Sequence, residues 1–303
     1  MSKVPILVLA FNRADHVAAA MKAIKEYQPD RLFLECDGPR HNKTGEVEAV
    51  EATRKAMLDA VDWPCEVQTL FRESNLGCAN AVYDAITWFF NQVEYGVVCE
   101  DDMIIGLDFF KLCEDLLYRY KNEEKLMEIV AQNHSRRTDL PNTYVFSYRE
   151  NCWGWASWSR AWKKMDMEMS SVPMLKYSFL IKKLGLIEGI MMKHYFKEGY
   201  NNLDSFNSWA TRWKLSILVN NGLTIIPGVN LAVNIGTDGG AHFEKGDIDP
   251  LAGLCIGKLE WPIIYNDSFI IDKKQAKYDQ SFFIHVRRIG LVKKIRRLLH
   301  IHE

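Results

Sequence analysis

Residues 96–105 read GVVCEDDMII. Three acids, Glu100, Asp101 and Asp102, follow directly on an apolar run, and Met103, Ile104 and Ile105 follow them at once. A run of charge ordinarily lies on a solvated face. Held between two apolar segments, it reads instead as the carboxyl end of a buried strand. The pattern recurs upstream. Val4–Ala10 is a continuous apolar run that ends at Asn12 and Arg13; RLFLEC (31–36) gives way to Asp37 in the turn DGPR; CEVQTLF (65–71) leads into RESNLG, with Arg72 and Asn75. Helical periodicity covers 14–27, 44–61, 79–93 and 107–120, and a fifth strand is expected over 126–131. Strands alternating with helices at this spacing predict a mostly parallel, doubly wound α/β sheet with right-handed crossovers. Such sheets bind ligands beyond the carboxyl ends of their strands. Asn12, Arg13, Asp37, Arg72, Asn75 and the acid triplet all fall on that edge.

The chain has 303 residues and a formal net charge of −1, so no global field favours nucleic acid. Seven scattered cysteines, with no CxxC pair, read as reduced thiols and place the chain in the cytoplasm. The N-terminal apolar run is too short to span a bilayer and lacks a signal-peptide cleavage site. No Pro/Gly/Ser linker, repeat or low-complexity tract divides the chain. The second half is aromatic-rich and irregular, with SYRENCWGWASWSRAW (147–162), a helix expected over 205–219, and LTIIP (223–227) followed by VNLAVNIGTDGGAHF (229–243). It is expected to pack on the same sheet.

Carboxylates at a strand end suit a hard divalent cation, Mn²⁺ or Mg²⁺, whose shell water and substrate phosphates complete. The plain alternative for the triplet is a solvated turn. Asp37 alone reads as a turn former, or as an acceptor for a ribose hydroxyl. Asn12 and Arg13 read as caps of the first helix or as ligand contacts. Arg72 is a surface cation or, through its fork of donors, a phosphate or base contact. His242, after Gly239-Gly240, is either structural or a late metal ligand. Trp158 and Trp162 read as an i, i+4 pair in the core, whereas Trp153 and Trp155, flanking a glycine, suit a carbohydrate platform. The tail, FIHVRRIGLVKKIRRLLHIHE, reads as a basic amphipathic helix suited to an anionic membrane face. The chain has no GxGxxG after its first strand, no GxxxxGK[ST], no GxSxG and no HExxH.

In order, PILVLAFNR, ECDGPR, FRESNLGCANAV, YGVVCEDDMIIGLDFF, the Trp153–Trp158 block, SWATRW (208–213) and PGVNLAVNIGTDGGAH (227–242) resemble the GT-A-fold glycosyltransferases. The nearer resemblance is to bacterial hemolysin-like nucleotide-diphospho-sugar transferases related to N-acetylglucosaminyltransferase I. It covers roughly residues 4–243. The resemblance implies a Rossmann-like half (1–135) that binds a nucleotide-sugar donor and an acceptor lobe (136–270) for a glycan or lipid-linked glycan; the basic tail (271–303) is expected, from its own charge pattern, to touch the inner membrane face. It implies inverting sugar transfer from a UDP-sugar. Asn12, Arg13, Asp37, Arg72, Asn75, Glu100 and Asp101 would contact the donor; Asp102 and His242 the metal; Trp153 and Trp155 the acceptor. Relatives carry an Asp where this chain has Ala210, so Asp204 is the candidate general base. One rival is a sugar-phosphate nucleotidyltransferase, which shares sheet and metal but normally has a Gly-rich loop where this chain reads AFNRAD. The other is a non-catalytic glycan-binding protein.

Overall fold

The computed structural model describes residues 3–135, 137, 139, 140, 143–236 and 253–298, with side chains to residue 286. Five strands carry the first half: β1 (Ile6–Ala10), β2 (Arg31–Cys36), β3 (Glu66–Phe71), β4 (Tyr95–Glu100) and the short β5 (Met103–Ile105). The helices α1 (Ala14–Tyr27), α2 (Glu46–Asp59), α3 (Cys78–Phe90) and α4 (Leu107–Arg119) connect and follow them. The second half adds β6 (Leu126–Val130), β7 (Tyr144–Ser147), β8 (Trp155–Trp158), α5 (Ser159–Trp162), α6 (Tyr177–Leu184), α7 (Leu186–Asn201), α8 (Trp209–Val219), β9 (Leu223–Pro227), β10 (Ala232–Asn234) and α9 (Lys273–Leu298).

Eight strands form one sheet in the order β3-β2-β1-β4-β8-β6-β9-β7, and β5 pairs with β10 in a separate ribbon. β3, β2, β1 and β4 run parallel, β8 runs against β4 and β6, and β9 is parallel to β6. This is a mixed α/β, Rossmann-like architecture with a mostly parallel sheet between helices. All five side chains of β1 are buried, as helices on both faces require. α1 turns Val17, Ala20, Met21, Ile24 and Tyr27 inward. The Tyr27 ring stacks on Phe110 of α4 at 4.7 Å, and its hydroxyl donates to Glu114 at 2.6 Å. Strands from both sides of residue 135 therefore interleave in one sheet around one main core.

Two details of the second half depart from the sequence reading. Trp155–Trp158 is a strand, so Trp158 and Trp162 share the core without forming a helical pair. α8 begins at Trp209 and not near 205, because Ser208 is the N-cap and its hydroxyl accepts from the Thr211 amide. Among the described residues no helix is long and apolar enough to cross a membrane. The basic stretch of the tail, from Arg287 on, has its side chains outside the described residues.

Candidate functional site

The chain winds β1, β2, β3 outward on one side and then places β4 on the other side of β1. β1 and β4 thus flank the point where strand order reverses, which is where open α/β sheets form their ligand crevice. Leu9 is registered against Glu100, so Asn12–Arg13 and Glu100–Asp102 leave the sheet side by side. Arg13 joins them. One of its nitrogens, Nη2, donates to Asp101 Oδ1 at 2.5 Å and to Asp102 Oδ2 at 2.9 Å. Burial raises the Asp101 carboxyl while the Arg13 charge opposes the rise. Glu100 is half-buried; its carboxyl is pushed up to about 8, by burial first and then by Asp102 and Asp101.

β10 brings a second wall to the triplet. The Ile235 amide donates to the Asp102 carbonyl at 2.9 Å. At Gly236 a Cβ would stand 2.3 Å from Asp102 Oδ2 and 3.0 Å from Arg13 Nη1. A side chain there would push the Asp102 carboxylate from its place beside Arg13. Among the described residues, Asp102 Oδ1 and Arg13 Nη1 are buried and have no hydrogen-bond partner. A buried oxygen and a buried donor without partners are costly unless a ligand answers them. His242 lies outside the described residues.

The neighbouring strand ends are tied down differently. Asp37 is buried, and its carboxylate accepts four hydrogen bonds: from the amides of Gly38 (2.8 Å), Leu76 (3.0 Å) and Gly77 (3.2 Å), and from Asn75 Nδ2 (2.9 Å). A Cβ on Gly38 would lie 2.3 Å from the Ser74 backbone. Asp37 and Asn75 thus clamp the loop after β3 against the end of β2. Arg72 sits between Asp84 at 2.5 Å and the buried Glu35 at 3.6 Å. Asn12 donates weakly to Glu46 at 3.4 Å.

Three contributors escaped the sequence reading. Glu35 was a visible signal: a lone acid in a strand buried on both faces must find a partner. Cys78, exposed at the start of α3, has its thiol pushed up to about 11, by desolvation first and then by Glu100, Asp37 and Glu35. Asn207 Oδ1 accepts from the Ala79 amide at 2.8 Å and so brings the turn before α8 to the first turn of α3.

Other expected residues do not converge. Trp155 is fully buried; it stacks on Trp209 at 5.7 Å and lies 5.9 Å from Trp213, so it offers no face to an acceptor. The physical reason is its place on β8, in the middle of the sheet. Trp153 is half-buried beside the Gly154 turn, where a Cβ would press on Ile105 of β5. Asp204 is exposed in the turn between α7 and α8, not on a helix, and among the described residues no hydrogen bond or ion pair joins it to the triplet. Ala210 packs half-buried against the core.

A divalent cation fits the triplet on one condition. Among the described residues no three Asp, Glu, His or Cys side chains form a closed cage. Mg²⁺ needs none, since one or two carboxylates with water and substrate phosphates complete its shell. The unpartnered Asp102 Oδ1 is a ligand atom of that kind, with Asp101 beside it.

No protein-family model matches the chain, and no curated protein matches it. Solved structures similar to it include a 4-diphosphocytidyl-2C-methyl-D-erythritol synthase from Anaerococcus prevotii, at 7% identity and TM-score 0.39, covering 77% of this chain and 93% of that one. A UDP-glucose pyrophosphorylase complexed with UDP-glucose follows at 10% identity and TM-score 0.37, covering 75% and 90%. An inositol-1-phosphate CTP transferase from T. maritima has 12% identity and TM-score 0.35, covering 75% and 86%. The glycosyltransferase expectation is corrected here. The structures found are named for a synthase, a pyrophosphorylase and a CTP transferase, and none of these three is named for the sugar transferase expected from the sequence.

Proposed function

We propose that the chain is a divalent-cation-dependent nucleotidyltransferase that joins a nucleoside triphosphate to a sugar phosphate and releases pyrophosphate. The observation that carries this reading is the Arg13–Asp101–Asp102 cluster at the switch point, with a buried carboxylate oxygen and a buried guanidinium nitrogen that have no partner among the described residues. In this reaction a phosphate oxygen of the sugar attacks the α-phosphorus and the bond to the β-phosphate oxygen breaks. Negative charge accumulates on the departing pyrophosphate. Asp101 and Asp102 would hold a Mg²⁺ or Mn²⁺ ion, which would supply positive charge against the departing pyrophosphate.

The chain's own residues supply the rest. Arg13 stands at the N-cap of α1, which has no side-chain cap. The start of α1 and the Arg13 guanidinium would together receive an anionic phosphate. They take the place of the missing Gly-rich loop. Asp37 and Asn75 hold the loop after β3 as the wall on which the nucleoside rests. Glu35 and Asp84 restrain Arg72 at that wall. The glycan-platform reading is not favoured, because Trp155 is spent in the core.

Calorimetric titration tests the site. Nucleoside triphosphate with Mg²⁺ binds the wild type, and Asp102→Asn weakens the Mg²⁺-dependent part by at least about 10-fold. Equal binding with and without Mg²⁺, or an unaffected variant, contradicts the assignment.

A further inference from the structure

α7 is two-faced in an unusual way. Its inner face buries Glu188, Gly189, Met192, Phe196 and Gly199. Its outer face is apolar as well: Leu186 is 63% exposed, Ile187 52%, Ile190 38% and Met191 38%. These positions, i, i+1, i+4 and i+5, share one side of the helix. Met174, in the turn before α6, is 86% exposed. Single exposed apolar residues are ordinary, but a contiguous set marks a contact surface.

The charge around this face is mostly of one sign. From 173 to 197 the chain carries Lys176, Lys182, Lys183, Lys193 and Lys197, and its one acid is Glu188. Glu188 is turned into the core, 3.2 Å from Lys214 Nζ. Lys176, Lys182 and Lys197 are exposed, and Lys183 and Lys193 are partly so. The next acid, the exposed Glu198, stands at the far end of the helix. In a chain of net charge −1, this hairpin is a local cationic rim around an apolar centre. A protein partner of mixed charge does not require such a rim. An anionic lipid surface does, because it meets apolar side chains at the headgroup boundary and cations at its phosphates.

We propose that the outer face of α7 docks on an anionic bilayer, with Ile187, Ile190 and Met191 entering the interface and the exposed Lys176, Lys182 and Lys197 lying on lipid phosphates. The surface does not involve the carboxyl-edge site, and the proposal stands apart from the reaction assigned to it.

Vesicle flotation of the full chain tests it. Wild type floats with phosphatidylcholine–phosphatidylglycerol vesicles, floats less with phosphatidylcholine alone, and is released by salt. Ile187→Asp/Met191→Asp and, separately, Lys182→Glu/Lys197→Glu each reduce the bound fraction at least about 10-fold. All four positions are outward, so circular dichroism stays unchanged; Ile187→Ser/Met191→Ser provides a milder apolar variant. Failure of the wild type to float overturns the proposal. So does flotation of both folded double variants at the wild-type level, which would assign binding to the basic tail. Light scattering that shows a dimer dispersed by Ile187→Asp would assign the face to a second copy of the chain and overturn it equally.

Discussion

At the scale of the residue, Asp37 illustrates how a strand-end acid works. Its two oxygens accept three backbone amides and the Asn75 side chain. Asp37→Ala leaves the buried Gly38 amide unpaired, at a cost of about 1–3 kcal/mol, and takes the acceptor from three part-buried donors that water can reach. A total loss of about 3 kcal/mol in urea unfolding is expected, with nucleotide binding weakened because the 72–77 loop is released. A variant as stable as wild type would show that the loop holds itself. The sequence made Asp37 visible as a site residue but not as a clamp, because three of its four donors stand 38 to 40 positions away and the β2–β3 pairing brings them together. Trp155 was misplaced for a related reason. A tryptophan beside a glycine looks the same in a binding loop and in a buried strand, and the other indoles that enclose it come from α5 and α8.

At the scale of the element, local signals were strong where apolar runs were long and punctuation was clear. α1 has the bounds its periodicity predicts, with Gln28 in the left-handed conformation before Pro29. β2 and β9 likewise match their apolar runs. β8 did not, because four residues with two tryptophans carry no readable period. α8 was read too long at its start, since the Ser208 cap outweighs the residues before it. Ser208→Ala removes the acceptor of the Thr211 amide and should cost about 1 kcal/mol in thermal or urea unfolding. A neutral substitution would mean that the tertiary contacts of Trp209 and Trp213 fix the helix start alone.

At the scale of the whole molecule, the order of strands makes the site. The parallel half of the sheet was legible from its βαβ spacing, and with it the convergence of polar strand ends. The insertion of β8 between β4 and β6 was not, because antiparallel pairing across the two halves leaves no local trace. The same long-range packing docks α9, where the His134 ring meets Phe282 at 4.6 Å. Burial, and then the Arg149 charge, depress the His134 pKa to about 3. The folded state thus keeps the ring neutral, while the unfolded chain protonates it below about 6.5. The unfolded state binds more protons between these values, so this contribution is lost as pH falls from 6.5 towards 3. Between pH 7.5 and pH 5 wild type should lose about 1–2 kcal/mol more than His134→Gln in paired urea titrations. Parallel curves would mean that the ring is not desolvated.

The central claim is that the Arg13–Asp101–Asp102 cluster serves nucleotidyl transfer. It is tested most directly by measuring pyrophosphate release from each nucleoside triphosphate with a panel of sugar 1-phosphates, with and without Mg²⁺. The account predicts Mg²⁺-dependent release with at least one pair, reduced at least about 100-fold in Asp102→Asn while the fold is kept. No pyrophosphate from any pair, or release that Asp102→Asn leaves intact, would contradict it.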